Sequence, residues 1–135
     1  MTQQNKTDRI QNLLNFIDRS PTPFHAVQEM SDTLSSKGFI KLEEADAWKI
    51  VPNGKYFLTR NDSSLIAFTV GSKPDEAFKI IGAHTDSPNL RLKPQAGYAK
   101  SGYLQLGVEA YGGVLLSTWT DRDLSLAGRV ILSGK

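Results

Sequence analysis

The chain has 135 residues, of which 39% are hydrophobic and 22% charged, and its 16 basic and 14 acidic residues leave a net charge of +2. That length suits one domain of ordinary size, the composition excludes intrinsic disorder, and no apolar run nears the roughly 20 residues of a membrane span. Lys and Arg are scattered and Cys is absent, which leaves no electrostatic footprint for nucleic acid or a membrane surface, no disulfide framework, no thiolate zinc site and no thiol nucleophile.

In chain order, Ile10, Leu13, Leu14 and Ile17 recur at helical spacing and predict a helix from Thr7 to Arg19, capped by Thr7 or Asp8. Ser20-Pro21 ends it, because a residue before proline avoids the helical region. Thr22-Pro23 opens a second helix with an inner face of Phe24, Val27 and Leu34, and Gly38 stands where a left-handed cap is needed. Tyr56 to Arg60 and Leu65 to Val70 read as a hairpin around the loop Asn61-Asp62-Ser63-Ser64. After a polar turn at Ser72-Lys73-Pro74-Asp75, the apolar run Phe78 to Ala83 reads as a strand covered on both faces. It stops at His84-Thr85-Asp86-Ser87-Pro88.

Beyond Pro88 the texture changes. Arg91 to Gly102 is polar and broken by Pro94 and Gly97. Tyr103 to Glu109, Val114 to Trp119 and Leu126 to Leu132 are β-rich. A boundary near Leu92 divides the α/β front (1–92) from this back part (93–135), which is marginal as an independent domain.

His84 and Asp86 are the sharpest chemical signal. In an α/β sheet, ligands collect beyond the carboxyl ends of strands. An imidazole there can ligate zinc, and a carboxylate two residues on can ligate too or orient the ring. By itself His-x-Asp also fits ordinary turn chemistry before Ser-Pro. Other candidates read more plainly. His25, with Gln28 and Glu29 on the polar side of its helix, is a solvated or hydrogen-bonded histidine. Asp121-Arg122-Asp123 suits structural ion pairs, and Tyr111-Gly112-Gly113 a flexible turn. Glu43-Glu44 fits a solvated loop, and Trp48 and Trp119 fit core or interface positions.

The wider text around His84, from Gly82 through Leu90 and on to Leu92-Lys93-Pro94, closely resembles the aspartyl aminopeptidase family of zinc metallopeptidases. Three more stretches match that family in order: Ser20-Pro21-Thr22-Pro23-Phe24-His25-Ala26-Val27; Leu65 to Gly71; and Gly107-Val108-Glu109-Ala110-Tyr111-Gly112-Gly113 running on into Thr118 to Val130. The resemblance implies an α/β fold: the opening helices and strands of a zinc-aminopeptidase catalytic domain, followed by the β-rich start of an inserted oligomerisation domain.

It further implies that His84 is a zinc ligand and Asp86 the catalytic-site carboxylate supporting it. In such enzymes two zinc ions activate water to remove the N-terminal residue of a peptide substrate, often an acidic one. Paired metals of this kind sit about 3.5 to 4 Å apart. Zinc is the family's metal, though manganese or cobalt also suit imidazole and carboxylate ligands. The resemblance also implies a homo-oligomer in the complete protein, while the scattered charge leads us to expect no nucleic-acid or membrane partner and the N-terminus, lacking an apolar export signal, a cytoplasmic location. The general base and the remaining ligands have no counterpart in these 135 residues, so the isolated chain is expected to be inactive. The alternative is a non-catalytic assembly or interaction module.

Overall fold

The structure, a computed structural model, describes residues 3–73 and 77–134. Pro74 and Asp75 of the expected polar turn lie outside the described residues. The chain divides into two compact units, one formed by the residues up to Thr85 together with those from Ala127 on, the other by Asp86–Leu126.

The first unit opens with helix α1, Gln3–Asp18. It begins a turn before the expected Thr7, since nothing in the preceding sequence stops a helix, so Thr7 and Asp8 lie inside it and do not cap it. The apolar stripe forms, yet it is not buried: Ile10, Leu13, Leu14 and Ile17 are all about half exposed.

Helix α2, Pro23–Ser36, has its predicted ends. Thr22 Oγ1 accepts from the His25 backbone N–H at 3.4 Å and lies 2.8 Å from His25 Nδ1. At the other end Gly38 adopts φ +78°, and Phe39 N–H and Gly38 N–H donate to the carbonyls of Leu34 and Ser35 at 3.1 and 3.0 Å. Carbonyls of the last helical turn thereby gain partners, the pattern that a left-handed glycine makes possible. Thr22→Ala is expected to lower stability by about 1 kcal/mol, the usual cost of losing such a cap, as read by urea unfolding followed by circular dichroism.

Three strands follow: β1 (Ile40–Lys41), β2 (Lys55–Arg60) and β3 (Ser64–Thr69). They form a sheet in the order β1-β2-β3, with β1 parallel and β3 antiparallel to β2. The β2–β3 connection is one residue shorter than expected, because Ser64 pairs with Arg60. Asn61 and Asp62 turn it in the left-handed region, at φ +52° and +53°, a conformation these two residue types tolerate well.

Helix α2 packs on β2 and β3. Ala26 and Val27 from the helix and Tyr56, Phe57 and Leu58 from β2 are the buried hydrophobics among the described residues. Successive strand residues point to opposite faces, so three consecutive buried residues mean that β2 is covered on both sides. The Tyr56 hydroxyl accepts from Val51 N–H at 3.1 Å and donates to the Lys49 carbonyl at 3.4 Å, and its ring lies 5.5 Å from that of Phe68 opposite. Gly54 leaves room for this ring: a Cβ there would collide with it.

The second unit is built on a long antiparallel hairpin, β4 (Asn89–Lys100) and β5 (Tyr103–Tyr111). The polar text read from Arg91 to Gly102 is therefore a strand. Pro94 and Gly97, which broke its pattern in the sequence, fall in or beside an irregularity between Leu92 and Gly97, where the register shifts. Proline is tolerated at such a point because no ladder bond is asked of its nitrogen. Ser101 and Gly102 close the hairpin at φ +54° and +80°, the two positive values a tight hairpin turn needs.

Two of the expected β-rich runs are not strands. Val114 to Trp119 contains a short 3-10 turn, η1 (Leu116–Thr118), and Leu126 to Leu132 has no regular structure. The same correction applies to Phe78 to Ala83, which has no regular structure and no ladder partners, with Ile81 98% exposed. Apolar composition makes a strand possible, but a strand exists only when a neighbour supplies its hydrogen bonds. Among the described residues none does.

Candidate metal centre

His84 and Thr85 end the irregular segment of the first unit. Thr85 Oγ1 donates to the Ser63 carbonyl at 2.7 Å, which ties the segment to the tip of the β2–β3 hairpin. The His84 side chain is exposed. Arg129 meets the same tip. Its Nη1 donates to the Asn61 carbonyl at 2.9 Å and lies 3.5 Å from the Asp62 carboxylate. Its guanidinium sits 4.3 Å from the centre of the Phe24 ring at the start of α2.

Asp86 opens the second unit and is half-buried. The Tyr111 hydroxyl donates to its Oδ2 at 2.8 Å. The register explains the meeting, since Asn89 at the start of β4 pairs with Tyr111 at the end of β5. Asn89 Nδ2 also donates to the Ser87 carbonyl at 2.8 Å, and Gly112, at φ +63°, lies against Pro88. The Arg91 guanidinium stands 5.5 Å from the centre of the Tyr111 ring. Donation to Asp86 is the main cause that raises the Tyr111 phenol above its ordinary 10.0, helped by the carboxylate's charge and by partial burial and opposed by Arg91. A raised phenol stays protonated throughout the neutral range, so Tyr111 keeps its donor there. Tyr111, expected to lie in a flexible turn, thus holds a candidate site residue. The sequence carried no local signal of it, because the two partners are 25 residues apart.

The other candidates lie elsewhere. The His25 ring is engaged with Thr22 at the cap of α2. Arg122 donates to the Thr118 carbonyl at 3.3 Å, beside a backbone turn at Asp121 with φ +57°. Glu44 accepts from Arg60 Nε at 2.8 Å. Trp48 donates to the Glu43 carbonyl at 2.7 Å and lines an open depression of about 470 Å³ with Leu58, Arg60 and Ile66, well apart in sequence from His84. No group of three or more His, Cys, Asp or Glu side chains able to hold a metal occurs among the described residues. Zinc in a catalytic site takes three protein ligands, so these residues can furnish part of a zinc centre and do not complete one. No helix among the described residues is long and apolar enough to cross a membrane.

Comparison with known proteins bears on these residues directly. The family model for aminopeptidase I zinc metalloproteases (M18) matches residues 16–135. An aspartyl aminopeptidase of Dictyostelium discoideum is 55% identical over 121 residues, covering 88% of this chain and 25% of its own length. Among solved structures, mApe1 of Chaetomium thermophilum superposes with a TM-score of 0.78 at 47% identity, over 84% of this chain and 26% of that one. The mApe1 dodecamer of S. cerevisiae gives 0.78 at 32% identity, over 88% and 28%. The chain spans about a quarter of the length of the curated relatives it matches. The α/β architecture expected from the sequence is the one these neighbours share. With the match running from the end of α1 through both hairpins, the chain belongs to the M18 family of aminopeptidase I zinc metalloproteases.

Proposed function

We propose that these residues are the opening part of a metal-dependent aminopeptidase that removes the first residue of a peptide. The observation that carries this reading is the family match over residues 16–135, which includes both His84 and Asp86. In it His84 is a zinc ligand, one of the set around a two-zinc centre, and Asp86 is the carboxylate that supports it. Residues 1–92 open the catalytic domain and residues 93–135 an inserted assembly domain. A preference for acidic N-terminal residues is supported by the name of the Dictyostelium relative. Assembly into a homo-oligomer is supported by the yeast dodecamer. A cytoplasmic location completes the reading and suits a chain without Cys.

The 135 residues alone are inactive in this reading, because one imidazole and one carboxylate fall short of a catalytic zinc set. The test is to sequence the open reading frame that carries these residues, then to assay its full product beside the 135-residue chain on aspartyl and glutamyl anilides. Zinc-dependent hydrolysis by the full product and none by the short chain is the expected result. Chelator-sensitive hydrolysis by the short chain would refute its inactivity. A frame that stops after Lys135 would overturn the aminopeptidase reading. It would favour the second one, a non-catalytic assembly module, for which the exposed apolar run from Val130 to Leu132 and the open edges of the β4–β5 hairpin speak.

A further inference from the structure

Asp86 can orient a metal-binding imidazole only if its own carboxylate is held in one plane. Carboxylates that orient metal ligands are themselves fixed by hydrogen bonds, and those outer partners matter to metal affinity. Within the second unit, one such partner is on hand. The Tyr111 phenol donates to Asp86 Oδ2 at 2.8 Å. It is placed by pairing with Asn89, and its ring is flanked by the Arg91 guanidinium at 5.5 Å. The backbone on either side is constrained as well: Asn89 holds the Ser87 carbonyl, and Gly112 packs on Pro88. The hairpin thus fixes donor and acceptor from both ends of the contact. Phenylalanine at position 111 would fill the same space without the donor.

We infer that Tyr111 is a positioning residue for the metal centre, acting through Asp86, and that the β4–β5 hairpin contributes to zinc binding as well as to architecture. This rests on the proposed roles of His84 and Asp86. Phenol-to-carboxylate donation holds one oxygen of Asp86 in place.

The test is Tyr111→Phe in the full product of the reading frame, with zinc affinity measured by competition against a chromogenic chelator. A loss of roughly 10- to 100-fold is expected, in the range seen when a ligand's orienting partner is removed. Excess zinc should restore kcat with KM unchanged, which a merely misfolded variant would not show. In an Asp86→Ala background the same substitution should add no further loss. Zinc affinity within about threefold of the parent would overturn the inference. His84→Ala, run in parallel, separates the two failures. If His84→Ala abolishes zinc binding while Tyr111→Phe leaves it intact, the inference alone falls. If His84→Ala keeps zinc, the underlying reading falls. Should Tyr111→Phe fail to fold, 3-fluorotyrosine at position 111 keeps ring and hydroxyl. Its fluorine resonance is expected to move when zinc is loaded, and an unmoved resonance would overturn the inference.

Discussion

Phe57→Ala is expected to cost about 3–5 kcal/mol, the range for removing a fully enclosed phenylalanine. Phe57 is 1% exposed, and the other buried hydrophobics among the described residues are few: Ala26, Val27, Tyr56 and Leu58. A lone ring contributes a large share of the apolar burial in so small a core, and its neighbours on a hydrogen-bonded sheet cannot collapse freely into the void. Since whole domains are stable by only about 5–15 kcal/mol, the variant should lose the cooperative urea transition of the first unit. Circular dichroism alongside the exchange rates of the β2 amides would show it. A variant with an unchanged midpoint would mean that the enclosure of this ring contributes little to stability.

The second large effect concerns the metal. His84→Ala in the full product of the reading frame is expected to reduce zinc affinity by more than the roughly 10–100-fold that follows loss of a residue orienting a ligand, because a donor itself is gone. Peptidase activity should disappear with it. The exposure of His84 makes this a clean test, since an exposed side chain can be truncated without opening a core cavity. Elemental analysis after dialysis gives the zinc content, and an unchanged thermal transition of the metal-free protein confirms that the fold is untouched.

The parts of this molecule written in short-range chemistry were legible in its sequence. Thr22-Pro23 and Gly38 mark the two ends of α2, and their hydrogen bonds span only a few residues. The hairpin at Asn61-Asp62 was equally plain, off by one residue because Ser64 joins the ladder. What failed was whatever depends on a distant partner. Phe78 to Ala83 and Leu126 to Leu132 have the composition of strands, but composition cannot supply a neighbour. Conversely, Pro94 and Gly97 concealed β4, because a register shift absorbs residues that would break a regular ladder. The proposal of His84 and Asp86 as site residues comes from their order in the chain. Tyr111 carries no such signal, since its contact with Asp86 forms only when β4 and β5 align.

The tip of the β2–β3 hairpin has a practical consequence for anyone who wants to label this protein. Exposed hairpin tips are ordinarily the first choice for inserting an epitope or a fluorescent reporter. Here the carbonyls of Asn61 and Ser63 hold Arg129 and Thr85, so a tag at residues 61–63 would release two remote stretches of chain at once, the one leading into His84 among them. The Ser101-Gly102 turn, whose two left-handed residues serve the hairpin itself, is the better insertion point.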